Sequence, residues 1–155
     1  MADQAAVTPP ARSRAERRTD TLRRLETDVD VWVASASEDG RAHLVPLSFV
    51  WDGAALTIAT PITSITGRNL IRARWARMAV GSTRDVVILE GPLEVLPIGT
   101  DRALEDAHAL ATGFDPREQA ETYVYFRLAP ERIQAWREAN ELAERQLMQD
   151  GAWLR

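Results

Sequence analysis

The chain contains no cysteine and no lysine, and only two histidines, His43 and His108. Without cysteine there can be no disulfide, no thiol nucleophile and no thiolate metal ligand. Without lysine there is no Schiff-base amine and no phosphate-loop ammonium, so every basic side chain is an arginine. Two histidines are too few for a three-histidine zinc site, and no metal is expected. Gly-x-Gly occurs nowhere, and the alternating strand–helix rhythm of a dinucleotide-binding domain is missing as well. No apolar run approaches the ~18 residues of a membrane span, and no signal-peptide core follows the N-terminus. A soluble cytoplasmic protein without a membrane partner is therefore expected.

What is present is globular. The 155 residues are 45% hydrophobic and 27% charged, proportions that suit one compact domain. A net charge of −4 supplies no field to draw in a polyanion, so nucleic acid is not an expected partner.

Residues 1–18 carry Pro9, Pro10 and four arginines between 12 and 18 without apolar periodicity. They read as a mobile tail that passes into a short helix through Leu22 and Leu25, which leaves residues 19–155 as the folded domain. Val29–Ala36 and Ala42–Val50 read as strands of a hairpin joined at Glu38-Asp39-Gly40. A turn at Trp51-Asp52-Gly53 leads to a third strand, Ala55–Thr60, which Pro61 stops. Ser64–Arg74 has helix character, and Arg77–Ser82 and Val86–Leu96 are further strands. The Gly91-Pro92 step predicts a bend of the kind a barrel corner needs. A helix over Thr100–Ala111, a sixth strand over Thr122–Leu128 and an amphipathic helix over Glu138–Gln149 complete the reading. Antiparallel strands with inserted helices indicate an α+β fold, a small six-stranded antiparallel barrel with flanking helices.

The segment Thr60-Pro61-Ile62-Thr63-Ser64-Ile65-Thr66-Gly67-Arg68-Asn69 carries the most chemical information. It gathers four hydroxyls, one guanidinium and the first turn of a helix, whose unpaired N–H groups bear partial positive charge. Together these suit a phosphate monoester. Spacing alone favours a plainer reading, in which Thr63 or Ser64 caps the helix and Arg68 faces solvent. His43 on the second strand and His108, between Ala107 and Ala109 on the inserted helix, read as structural. Adjacent Glu105 and Asp106 diverge on a helix and form no carboxylate pair, and Arg84-Asp85 reads as a turn with a surface ion pair. The five tryptophans read chiefly as packing residues.

Three stretches in this order resemble the split-barrel flavin-binding family typified by pyridoxamine 5′-phosphate oxidase. They are the hairpin Val31-Trp32-Val33-Ala34-Ser35 with Ala42-His43-Leu44-Val45-Pro46-Leu47-Ser48-Phe49, the segment Ala59-Thr60-Pro61 to Arg68-Asn69-Leu70, and Tyr125-Phe126-Arg127-Leu128-Ala129-Pro130-Glu131-Arg132-Ile133 with Trp136. The resemblance runs from about Leu22 to the C-terminus. It implies an FMN- or deazaflavin-dependent oxidoreductase that is homodimeric, with the cofactor between subunits and hydride passing to or from a small organic substrate. By the same resemblance the phosphate falls to Thr60, Ser64, Thr66, Arg68 and Asn69, and the ring to Val45, Pro46, Leu47 and Ser48. The partner chain would add residues around Trp136 or the C-terminal helix. A non-catalytic flavin- or haem-binding or storage protein is the alternative that the same barrel allows. An actinobacterial style of composition tilts the cofactor toward the deazaflavin, whose polyglutamate tail would call for a basic groove beyond Arg68, built from Arg72, Arg74 or Arg77. The family's lysine beside the phosphate is absent, so arginine must supply that charge. The longer basic C-terminus of true vitamin-B6 oxidases is absent too, which argues against oxidation of pyridoxamine phosphate.

Overall fold

The computed structural model describes residues 8–155. Helix α1 spans Arg14–Thr27 and α2 spans Ile65–Ala73, while α3 spans Arg102–Thr112. The strands are β1 (Asp30–Ala36), β2 (Ala42–Trp51), β3 (Leu56–Pro61), β4 (Trp75–Ser82), β5 (Asp85–Pro97) and β6 (Tyr123–Leu128), followed by β7 (Arg132–Trp136), β8 (Gln146–Gln149) and β9 (Ala152–Trp153). Antiparallel pairing runs β4-β1-β2-β3-β6-β5 and returns from β5 to β4, which closes a six-stranded barrel. The expected split barrel of six strands is what the chain forms. Strands β7 to β9 extend the sheet outward from β5.

Alternation along the strands fills the barrel. Val31 and Val33 point inward from β1 while Trp32 between them is 48% exposed, as a period of two requires. Their inward partners include Phe49, Ile58, Met78, Leu89, Phe126 and Leu128. A second apolar cluster of Ala59, Leu96, Leu104 and Tyr125 lies outside this core, where α3 covers the sheet.

Gly91 is the bend that the sequence suggested. Before it β5 pairs with β7 through Val86–Glu90, and after it with β6 through Leu93–Pro97. A Cβ at Gly91 would lie 2.5 Å from the Ala129 carbonyl, so the β6–β7 connection can cross only over a glycine.

Two expectations are corrected at the chain ends. Residues 1–7 of the expected tail lie outside the described residues. Helix α1, however, already starts at Arg14 behind a capping box, in which Ser13 and Glu16 satisfy each other's backbone N–H groups. Within the stretch read as mobile, Arg17 is 1% exposed and donates to the carbonyl of Glu144 at 2.7 Å. Buried arginine breaks the apolar period, which is why the helix start was hidden. The expected helix over Glu138–Gln149 is instead a single 3-10 turn, Ala139–Glu141, followed by β8, whose Leu147 and Met148 are buried against the barrel. Asp150 and Gly151 both adopt positive φ, 51° and 75°, and turn β8 back into β9. That Asp-Gly pair is the sequence mark of a tight hairpin.

A cluster of arginines and carboxylates ties α1 to this C-terminal extension. Arg12 grips Glu141 with two bonds, Nε to Oε1 at 2.9 Å and Nη2 to Oε2 at 2.8 Å. Asp85, expected to pair with Arg84 in a surface turn, instead accepts from Arg24 at 2.9 Å and Arg137 at 3.1 Å. No helix among the described residues is long and apolar enough to cross a membrane.

Candidate functional site

Strands β2 and β3 pair only at Phe49–Trp51 with Leu56–Ile58. Beyond that point each keeps its other neighbour, β2 with β1 along Ala42–Ser48 and β3 with β6 along Ala59–Pro61. The two strands therefore part like the limbs of a wedge. Their facing edges carry backbone groups that the ladder leaves unpaired.

Which groups face the gap follows from the alternation of an antiparallel ladder. The N–H of Phe49 bonds to the Val29 carbonyl on the β1 side, so odd positions of β2 look toward β1 and even positions toward the wedge. Pro46 is an even position. A residue without an N–H is tolerated there because no partner strand asks for one. The N–H of Ser48 and the carbonyls of Leu44 and Pro46 thus line the open edge.

A cavity of about 150 Å³ fills the wedge, bounded by Leu47 and Ser48 on one limb, by Ala59, Thr60 and Pro61 on the other, and by His108, Phe114 and Tyr123 as a roof. A larger open groove of about 960 Å³ continues past Leu47 and Ser48 along Pro46, Trp32 and Asp30. Leu47 and Ser48 belong to both. Of the expected ring strand, Pro46, Leu47 and Ser48 line these cavities, whereas of the expected phosphate residues only Thr60 does.

At the phosphate corner Ser64 is the N-cap of α2. Its hydroxyl accepts from the Gly67 N–H at 2.9 Å, donates to the Pro61 carbonyl at 2.8 Å, and lies 3.1 Å from the Thr60 hydroxyl. Gly67 is obligatory, since a Cβ there would come within 2.2 Å of the Pro61 carbonyl. Thr66 and Asn69 are buried on the inner face of the helix, and the Asn69 amide donates to the Ser35 hydroxyl at 3.1 Å. Of the expected phosphate set, Thr60, Ser64 and Asn69 are thus engaged within the protein. At the helix start the N–H groups of Ile65 and Thr66 donate to nothing among the described residues. Arg68 folds back and donates to the carbonyl of Thr63, which holds its charge beside that first turn. On the strand expected to carry the ring, Val45 and Leu47 pack against the core, and Pro46, Leu47 and Ser48 border the cavities. The Ser48 hydroxyl lies 3.1 Å from an Asp30 carboxylate oxygen.

Arg72 follows Arg68 on α2, and Arg74 is its C-cap. Neither they nor Arg68 has a carboxylate within ion-pair distance among the described residues. Arg72 donates to the Ala36 carbonyl and Arg74 to that of Ile71. Arg77 is different, because Glu90 holds it at 3.0 Å.

His108 is the site residue that sequence reasoning passed over. It is 2% exposed, and neither ring nitrogen has a hydrogen-bond partner. Burial lowers its pKa to about 4, against an opposing pull from Asp115, so the ring is neutral at pH 7. Tyr125 meets it edge-on with ring centroids 5.4 Å apart and is itself fully buried with an unpartnered hydroxyl. The available signal was the spacing of Leu104 and His108, four residues apart and hence on one face of the helix. Glu105 is buried and accepts from the Gly99 N–H at 2.6 Å while Asp106 is exposed, yet the divergence expected of adjacent helix residues is incomplete, because both reach Arg117 Nη1, at 3.9 Å and 2.6 Å.

A closed six-stranded antiparallel barrel with a wedge between β2 and β3 has a counterpart among sequence families. The family model for pyridoxamine 5′-phosphate oxidase matches residues 20–137, from α1 to the end of β7. The chain belongs to the pyridoxamine 5′-phosphate oxidase family. Among curated proteins no sequence matches this member at a significant level. Solved structures share its fold. An F420 reductase superposes with a TM-score of 0.60 at 20% identity, covering 74% of this chain and 94% of that one. A heme binding protein from Mycobacterium smegmatis gives 0.68 at 20% identity, over 94% of this chain and 60% of that one. A pyridoxamine 5′-phosphate oxidase-related, FMN binding protein from Nostoc punctiforme gives 0.56 at 17% identity, over 91% and 88%.

Proposed function

We propose that this family member is a homodimeric oxidoreductase that holds a phosphorylated flavin-type cofactor, FMN or the deazaflavin coenzyme, along the wedge between β2 and β3. The observation that carries the reading is the unspent polar edge at the head of α2. The N–H groups of Ile65 and Thr66 have no partner among the described residues and Arg68 is held beside that first turn, while Thr60 and Pro61, just before it, form one wall of the cavity that Leu47 and Ser48 of β2 bound on the other side. Such a set suits a dianionic phosphate.

When bound, the cofactor supplies a ring that accepts or delivers hydride. The chain's own part is to bind, orient and exclude water. Ile65, Thr66 and Arg68 hold the phosphate, Ser64 and Gly67 keep the helix start in place, and the open N–H of Ser48 and carbonyls of Leu44 and Pro46 meet polar atoms of the ring. His108, Phe114 and Tyr123 close the inner end against solvent.

The deazaflavin is favoured over FMN by the uncompensated arginines. Arg68 and Arg72, one helical turn apart on α2, and Arg74 at its C-cap have no carboxylate within ion-pair distance among the described residues, which suits a polyanionic tail that FMN lacks. Dimerisation is supported by the apolar outer face of β1 and β2, where Trp32 is 48% and Leu44 58% exposed beside the open groove.

A second reading, a non-catalytic flavin or haem carrier, draws on the fold likeness to the heme binding protein. Turnover separates the two. Supplying reduced deazaflavin coenzyme and following its reoxidation by candidate acceptors should give steady-state rates for an oxidoreductase. Stoichiometric binding without turnover would support the carrier.

A further inference from the structure

The roof of the wedge contains more polar capacity than the protein itself uses. Both imidazole nitrogens of His108 in the roof, and the phenolic oxygen of Tyr125 packed edge-on behind it, are buried with no partner among the described residues. Leaving buried groups of this kind unsatisfied forfeits their hydration with nothing in return. Native proteins rarely accept several such groups side by side. The ring of His108 borders the cavity of about 150 Å³, enough for roughly five to eight non-hydrogen atoms by comparison with cavities that admit benzene.

Charge around the roof selects among possible occupants. Glu105, Asp106 and Asp115 surround it, with Arg117 2.7 Å from Asp115, 2.6 Å from Asp106 and 3.9 Å from Glu105, and Arg102 4.0 Å from Asp106. Three carboxylates against two guanidiniums leave these surroundings net negative. An anionic ligand would meet repulsion there and lose its hydration without a cation to replace it. A neutral ligand would not. A neutral imidazole offers one N–H donor and one bare acceptor nitrogen, so a group that can both donate and accept satisfies either tautomer.

We propose that the inner end of the wedge is a binding site for a small neutral molecule carrying a carboxamide-type group, held by the imidazole of His108 with Tyr125 behind it, and that the site discriminates against carboxylates and phosphates. Its bearing on the reaction, as the place where the substrate's polar end is recognised, rests on the cofactor reading above. The ligand chemistry does not, and the experiment reads only the latter.

The test uses the full chain without added cofactor, and propionamide and propionate as probes of nearly equal shape. Ring ¹⁵N shifts of His108 are followed by long-range proton–nitrogen correlation at pH 7.5. Propionamide should move them saturably at millimolar concentration, and equimolar propionate should leave them in place. Tyr125→Phe should weaken propionamide binding about 5-fold while the His108 signals remain in view. His108→Phe, followed through backbone amide shifts of Ser48 and Thr60, should lose the response. If that variant does not fold, Tyr125→Phe decides. Ring nitrogens already bonded to ordered water and indifferent to propionamide would overturn the proposal. So would propionate binding as tightly as propionamide.

Discussion

The hydroxyls of Thr60 and Ser64 lie 3.1 Å apart, and this contact pins the last residues of β3 to the first turn of α2. Strand end and helix start are thereby one rigid corner. Ser64 holds the corner three ways, to Thr60, to the Pro61 carbonyl and to the Gly67 N–H.

Ser64→Ala should accordingly cost about 1–2 kcal/mol of stability, the upper part of the range for an N-cap. Denaturant midpoints with an unchanged m-value would measure it. A loss below about 0.5 kcal/mol would mean the corner is held by packing alone.

Gly67→Ala tests the same corner from the other side. Alanine is the better helix former by about 1 kcal/mol, yet its Cβ would have to displace the Pro61 backbone from 2.2 Å. The expected outcome is a net destabilisation of about 1–3 kcal/mol, read by thermal or chemical unfolding. A neutral or stabilising substitution would contradict the close approach.

The pair Arg12–Glu141 should set the acid limit of the fold. Hydrogen bonding from the Arg12 guanidinium, aided by the backbone N–H groups of Arg12 and Arg137, holds the Glu141 carboxyl down to about 2. Its folded pKa lies below the ordinary value of 4.5, so the unfolded chain takes up the proton first. The contribution is present above about pH 4.5 and is lost as pH falls toward 2. Glu141→Gln should remove about 1.5–3 kcal/mol at pH 7 and flatten stability below pH 4.5 relative to the parent. An equal slope in both proteins would contradict the assignment.

His108 titrates in a separate window. Burial depresses its pKa to about 4 from an ordinary 6.5, so the unfolded state binds the proton first. Stability is complete above pH 6.5 and declines as pH falls to about 4, with a slope approaching about 1.4 kcal/mol per unit. His108→Phe should abolish that decline between pH 6.5 and 4 and leave the Glu141 window unchanged. A decline that persists in the variant would place the titrating group elsewhere.

The barrel could be read in the sequence because its signals are local. Val31-Trp32-Val33 alternates, Asp39-Gly40 turns, Pro61 stops a ladder, and Gly91-Pro92 marks the change of partner in β5. The C-terminal strands were hidden because β8 is only four residues long and gains its order from Ile133 and Gln134 across the ladder. The corner between β3 and α2 was legible as a cluster of residue types, whereas the internal use of Ser64 and Asn69 depends on Thr60 and Ser35, residues that folding brings to them. His108 was missed because an imidazole between two alanines carries no mark of the cavity beneath it. That cavity exists only because β2 and β3 separate.

The cofactor assignment is tested most directly by one binding measurement, in which FMN and the deazaflavin coenzyme are titrated by fluorescence against the parent protein and Arg68→Ala. The account predicts saturable binding of at least one coenzyme well below millimolar, tighter for the deazaflavin. It also predicts a loss of about 10- to 150-fold in Arg68→Ala, the ~1.5–3 kcal/mol of a charge-assisted hydrogen bond. Binding of neither coenzyme below about 1 mM, or an unchanged Kd in Arg68→Ala, would contradict it.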